Sequence, residues 1–173
     1  MARETGRKIV RSGLFGQPYT AFTTSTAGRA SREAAYRKAI ADKDNMNTSA
    51  LSDLYRAYIA CLNARDWQKL GTFVHDDLQY NGRALTVDDY RAMLERDVRE
   101  IPDLFFDIQL LIAQPPLIAC RLQFECTPKS RFLGLDIDGK RVSFCENVFY
   151  EFRDGKIERV WSVIDKAAIE AQL

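Results

Sequence analysis

GKRVSFCENVFYEFRDGKIERVWSVIDKAAIEAQL, residues 139–173, reads as two long strands and a closing helix. From Arg141 to Phe152 and again from Lys156 to Ile164 the pattern follows a period of two. Between them Arg153-Asp154-Gly155 carries the Asp-Gly pair of a tight hairpin. Alternation sets Val142, Phe144, Glu146, Val148, Tyr150 and Phe152 on one side, so Glu146 is a carboxylate on an otherwise apolar face. A carboxylate so placed must be paired, protonated or at the mouth of a cavity. Asp165 falls where the second strand ends, and Ala167 to Leu173 is predicted as a short helix.

Upstream, Leu104 to Ala113 and Leu117 to Thr127 also alternate, with Gln114-Pro115-Pro116 as the turn and Arg131 to Lys140 as an irregular link. Ile118, Cys120, Leu122 and Phe124 form one set, and Arg121, Gln123 and Glu125 form a solvated face. Before Pro102 the period becomes helical. Leu51, Leu54, Tyr55, Tyr58, Ile59 and Leu62 define an amphipathic helix that starts at an expected Ser49 cap and ends near Ala64. Asp66 caps a short second helix through Trp67, Leu70, Phe73 and Val74. A brief strand at Leu78 to Tyr80 and an Asn81-Gly82 turn follow. Thr86-Val87-Asp88-Asp89 resembles a capping box and opens a third helix through Tyr90, Met93, Leu94, Asp97 and Val98.

Three helices followed by four antiparallel strands predict an α+β fold, in which a curved four-stranded, mainly antiparallel sheet wraps on the N-terminal helices. Such wrapping leaves a cone open at one end, a place for a small apolar ligand.

The chain has 173 residues, 46% hydrophobic, enough for one domain plus a tail. Residues 1–45 carry nine Lys/Arg against four Asp/Glu, and the remainder sixteen against twenty. The front is read as a mobile basic tail, with one helical stretch over Ser31 to Ala41, and residues 46–173 as the folded domain. A mildly acidic body without a basic stripe excludes nucleic acid as the main partner. No run approaches the ~20 apolar residues that a membrane helix needs. Cys61, Cys120, Cys126 and Cys145 lack C-x-x-C spacing and His75 is the one histidine, so no metal site is expected. Buried reduced thiols point to the cytoplasm. No phosphate-binding glycine loop or nucleophile signature is present, and no cofactor is expected.

The order of elements, with FLGLDIDGKRVSF (132–144) and YEFRDGKIERVWSVIDKAAIEAQL (150–173), resembles the SnoaL-like polyketide cyclase family. Its members are also described as predicted ester cyclases, and it lies in the nuclear-transport-factor-2-like superfamily of cystatin-like cones. The resemblance covers about residues 50–173. It rests on Phe132, Gly134, Gly139 and Val142, then on Asp154, Gly155, Lys156, Ile157, Glu158, Trp161 and Asp165, and on the Gln172-Leu173 ending. It implies a homodimer, and it implies that Asp165 is the general acid/base of an intramolecular aldol closure. Many members carry Thr-His-x-Gly before the Phe-x-Gly, whereas this chain reads Thr127-Pro128-Lys129-Ser130. A relay between the aspartate and that histidine has no counterpart here.

Aldol closure needs a base for an acidic C–H and donors for the enolate. A carboxylate in an apolar pocket has a raised pKa and serves as that base. The candidates are Asp165, Glu146 and His75, with Trp161, Tyr80, Asn81, Phe144, Val148 and Phe132 as substrate-binding residues. Each has a plainer reading. Asp165 also suits an N-cap at Lys166, Glu146 a salt bridge with Arg121 or Arg159, and His75 an exposed helix end. If the second strand is regular, Asp165 shares a side with Trp161 and Val163. The expected activity is cofactor-independent proton abstraction from a small hydrophobic carbonyl compound, by a cyclase, isomerase or dehydratase. The rival expectations are a non-catalytic module that binds a hydrophobic ligand, and a dimerisation domain.

Overall fold

Asn47 opens the first helix by accepting a hydrogen bond from the Ala50 amide at 2.8 Å. The computed structural model describes residues 47–173, so the expected tail over residues 1–45 and its helical stretch lie outside the described residues. The helix, α1 (Thr48–Ala64), ends at Arg65 in the left-handed conformation, φ 58°. The cap thus lies at Asn47 rather than at Ser49, because its side chain already satisfies a free first-turn amide. The buried face of α1 carries Leu51, Tyr55, Tyr58, Ile59 and Leu62. A 3-10 turn (Trp67–Lys69) and the one-turn helix α2 (Leu70–Phe73) lead into β1 (Val74–Tyr80).

Asn81 and Gly82, at φ 47° and 79°, make the tight turn to β2 (Arg83–Leu85). Thr86 then caps α3 (Val87–Glu100) through a full capping box with Asp89. The chain continues through β3 (Asp107–Gln114), β4 (Leu117–Cys126), the small hairpin β5 (Arg131–Phe132) and β6 (Leu135–Asp136), β7 (Val142–Arg153), β8 (Lys156–Ile164) and α4 (Lys166–Glu170).

The main sheet has six strands in the order β2-β1-β8-β7-β4-β3, and β1 runs parallel to β8. The expected sheet had four. The two additional strands come from the front of the domain, where the sequence shows only a short strand at Leu78–Tyr80. Strand β1 begins at Val74, and a register shift between Val74 and Gln79 breaks its alternation. Its inward residues Val74, Leu78 and Tyr80 share one parity, but Asp76 between them is exposed, so the alternation is interrupted.

A second irregularity governs β8. Phe152 lies opposite Ile157 while Glu151 lies opposite Arg159, so Glu158 is an extra residue on β8. The inward set passes from Ile157 to Val160 and Ser162, and Trp161 and Val163 face outward. The expectation of a regular strand is corrected by that bulge. Strand β7 alternates as read, with Val142, Phe144, Glu146, Val148, Tyr150 and Phe152 all buried.

Helices and sheet close on an aromatic core. Phe124 is fully buried and stacks on Phe144 at 5.2 Å between ring centroids, with Phe106 edge-on at 5.5 Å. Phe132 abuts Phe144 from the small hairpin at 5.5 Å. On the outer face, Ile112, Ala119, Phe149 and Trp161 lie opposite one another in a row across β3, β4, β7 and β8. Among the described residues no helix is long and apolar enough to cross a membrane.

Because the ring stack joins β3's approach to β4 and β7, Phe124→Ala is expected to destabilise the protein by about 3–5 kcal/mol. Urea unfolding reads this as a lowered midpoint. A loss below about 1 kcal/mol would mean that the surrounding rings collapse into the space.

Candidate active site

The inward face of the sheet encloses a cavity of about 10 Å³, the room of about one water molecule. Tyr58 and Leu62 reach it from α1, Tyr80 from β1, Tyr90 and Leu94 from α3, Phe106 from the approach to β3, Glu146, Val148 and Tyr150 from β7, and Val160 from β8. In an otherwise apolar and phenolic wall, Glu146 supplies the carboxylate. It is 2% exposed, and strand alternation alone turns it inward.

Ser162, also buried, donates from Oγ to Glu146 Oε1. Tyr80 hydrogen-bonds to the same serine. A serine hydroxyl has one proton to give. While it serves the carboxylate, Tyr80 must donate to Ser162, which forms the chain Tyr80, Ser162, Glu146. Across the cavity, the hydroxyls of Tyr58 and Tyr90 lie 2.7 Å apart. Tyr150 stands 6.0 Å from Tyr58, ring to ring.

Burial pushes the Glu146 carboxyl from the ordinary 4.5 up to about 7, and the Ser162 bond holds it below what burial alone would give. Burial and then the Glu146 charge raise Tyr80 well above its ordinary range. Tyr58 and Tyr150 are raised by burial first and then by neighbouring tyrosines, with Glu146 adding to both. Tyr90 is also raised, by burial and then by Glu146, against the bond from Tyr58. The phenols therefore remain protonated donors, while the carboxyl changes charge near neutral pH. Asp97 on α3 is a second buried carboxylate, 5% exposed, whose charge also acts on Tyr80 and Tyr90.

The residues singled out from sequence are dispersed by the structure. Glu146, Tyr80 and Val148 line the cavity. Asn81 lies beside it with its carboxamide on the Ser162 backbone. Phe144 and Phe132 are buried in the ring stack. Trp161 is 40% exposed on the outer face, opposite Phe149. Asp165 is exposed and caps α4, with Oδ1 accepting from the Ala168 amide at 3.0 Å. His75 bonds Asp77 at 3.1 Å and approaches Arg153 at 3.4 Å. Position 74 pairs with Ile157 and Glu146 with Ile164, so His75 and Glu146 are separated by about seven residues of strand, on the order of 20 Å. The salt bridges considered for Glu146 are not made. Arg121 bonds Asn147 and Arg159 bonds Glu151, both at 3.1 Å.

Sequence reasoning missed Ser162, the Tyr58–Tyr90 pair, Tyr150 and Asp97 as site residues. Ser162 had one available signal: it is the polar member of the set Val160, Ser162, Ile164, the alternative parity of β8. Among the described residues, no cluster of three or more His, Cys, Asp or Glu is placed to hold a metal ion.

Glu146 makes stability pH-dependent. Its folded pKa is raised, so its contribution is complete below about pH 4.5 and is lost as pH rises towards about 7. The full change amounts to about 3 kcal/mol. Glu146→Gln is expected to abolish this fall and to be more stable than the wild type above pH 7, as read by urea midpoints from pH 4 to 8. An unchanged slope between the two proteins would place the titrating group elsewhere.

Known proteins place this geometry in a family. The model of the SnoaL-like polyketide cyclases matches residues 52–173. A SnoaL-like polyketide cyclase from Agrobacterium tumefaciens str. C58 is 50% identical, over 73% of this chain and 98% of that one, with a TM-score of 0.71. TsrD from Streptomyces laurentii, at 19% identity over 74% of this chain and 97% of its own, superposes with a TM-score of 0.65. AclR from Streptomyces galilaeus, at 21% over 73% and 96%, gives 0.61. These two share the fold. No curated protein matches the sequence. With the family model spanning the entire cone and a half-identical relative covered almost end to end, the chain belongs to the SnoaL-like polyketide cyclase family.

Proposed function

We propose that the cone is the active site of a cofactor-independent enzyme that moves a proton at carbon on a small apolar carbonyl compound, with Glu146 as the acid/base. The observation that carries this reading is a fully buried carboxyl, poised to change charge near pH 7, in a wall of phenolic donors. A base of that strength suits an acidic C–H between two carbonyl groups, as in a β-keto ester. Glu146 takes the proton, the C–H electron pair moves into the carbonyl, and the resulting enolate oxygen receives a hydrogen bond from a cavity phenol such as Tyr90 or Tyr80. Carbon–carbon closure, isomerisation and dehydration all proceed from that enolate.

In this reading Glu146 takes the role that the family resemblance gives to Asp165, whose side chain is on the other face and occupied in capping. The cavity has room for about one water, so a carbonyl compound enters as the apolar wall residues Leu62, Leu94 and Phe106 yield. The small volume favours a second reading, a non-catalytic module of the same fold in which the cone contents are structural.

Deuterium exchange at the acidic carbon of a panel of β-keto esters, followed by NMR, separates the possibilities. The wild type is expected to accelerate exchange, Glu146→Gln to lose about 100-fold or more, and Asp165→Asn to remain within a factor of a few. Loss in Asp165→Asn with full activity in Glu146→Gln would overturn the assignment. Absence of wild-type exchange across the panel would move the conclusion to the second reading.

A further inference from the structure

We infer that Asn81 is a positioning residue: its carboxamide clamps the Ser162 backbone and so fixes the serine hydroxyl on Glu146. Strand β1 stops pairing with β8 at Tyr80, opposite Val160, because the chain turns away at Asn81-Gly82 towards β2. Ser162 lies two residues further along β8, where β1 offers no further peptide. The Asn81 side chain replaces it. Its Oδ1 accepts from the Ser162 amide at 2.9 Å, its Nδ2 donates to the Ser162 carbonyl at 3.3 Å, and its own backbone amide donates to Val160 O at 2.9 Å. A primary carboxamide presents one donor and one acceptor side by side, as a peptide unit does.

The turn by itself does not ask for this residue. At φ 47° the backbone is left-handed, which glycine, asparagine and aspartate all supply. Only asparagine of the three adds both halves of the clamp. Between the turn and the acid/base the path is short: Asn81 holds the Ser162 peptide, the Ser162 hydroxyl holds Glu146 Oε1, and Tyr80, the residue before Asn81, bonds the same hydroxyl. One turn therefore sets two of the three members of the chain.

The catalytic consequence rests on the reading of Glu146 as acid/base, whereas the clamp itself does not. Glu146 also faces Tyr58 from α1, Tyr90 with Asp97 behind it from α3, Cys120 from β4 and Tyr150 from its own strand. These groups are untouched by changes at Asn81, which makes its effect on Glu146 separable.

The test compares Asn81→Gly, which keeps the turn and removes both clamp bonds, Asn81→Ser, whose short uncharged side chain cannot make both, and Ser162→Ala, which removes the hydroxyl. Carbon-13 NMR titration of the Glu146 carboxyl, assigned with Glu146→Gln, reads the midpoint without any substrate. Ser162→Ala is expected to move it upward, since the serine bond favours the charged form. Asn81→Gly and Asn81→Ser are each expected to move it in the same direction, and the Asn81→Gly/Ser162→Ala double variant no further than Ser162→Ala alone. The half-point of the pH–rate profile for C–H exchange should follow the same order. A midpoint unmoved in Asn81→Gly, or an additive double variant, would overturn the inference. If Asn81→Gly fails to fold, Asn81→Ser decides on the same readouts. Should exchange prove independent of Glu146 while the titration follows this order, the catalytic reading fails and the clamp stands.

Discussion

Burial of one carboxyl group is the constraint around which this domain is arranged. An isolated ionised carboxylate in an apolar interior costs many kcal/mol, and proteins respond by pairing it, protonating it or solvating it. Among the described residues, no arginine or lysine forms an ion pair with Glu146. Its neighbours are a serine hydroxyl and a set of phenols. Without a countercharge the group gives up its charge near neutral pH rather than at the usual carboxylate value. A salt bridge to Arg121 or Arg159 would have held it as a permanent anion of lower pKa, and so as a weaker base. Both arginines are instead committed to partners on the outer face.

The six-stranded sheet follows from the same requirement. Four strands would present Glu146 and Ser162 inward but leave Ser162 on an edge strand, with its peptide groups open to water. The parallel addition of β1 covers that edge and delivers Tyr80 and Asn81 together to the serine. The hairpin with β2 then ends the sheet with a strand of three residues, a short edge that offers little template for further pairing. Front and back of the domain are thus joined at the point where the polar chain forms.

The sequence made the frame legible wherever one period prevailed. Strand β7 alternates without interruption, so its inward set, Glu146 included, could be read directly. The capping box at Thr86 and the Asp-Gly hairpin are local chemistry and were equally plain. What could not be read depends on pairing between distant segments. The β1–β8 contact joins residues some 80 positions apart, and the break in β1 erases its periodic signal. Ser162 has apolar neighbours on both parities of β8, Trp161 and Val163 on one and Val160 and Ile164 on the other, so composition gives no preference. The residues behind the family resemblance are largely architectural. Gly134, Gly139 and Gly155 all have positive φ, at 82°, 79° and 73°, Glu158 is the bulge residue, and Asp165 is a cap. Such a pattern identifies the fold because it records its turns, and it says little of the cavity for the same reason.

The bulge at Glu158 decides whether the interior receives Asp165 as well as Glu146. Counting by twos from the buried Ile157 leads to Arg159, Trp161, Val163 and Asp165. Counting from Val160, after the extra residue, leads to Ser162 and Ile164. A one-residue change of register exchanges the two faces of a strand, so leaving Glu158 unpaired, rather than pairing it with Glu151, turns Trp161 and Asp165 outward and brings Ser162 to Glu146. The bulge is fastened from outside by Arg153, which donates from Nε to Glu158 at 2.8 Å and also reaches Asp77 on β1 at 3.3 Å. Glu146 pairs with Ile164, one residue before Asp165. The two carboxylates therefore occupy the same end of the β7–β8 ladder on opposite faces. Within this fold, the face that a strand-end carboxylate takes is thus a question of strand pairing as much as of residue identity: the same β8 sequence paired without the bulge, with Glu158 opposite Glu151, would turn Asp165 to the cone as well.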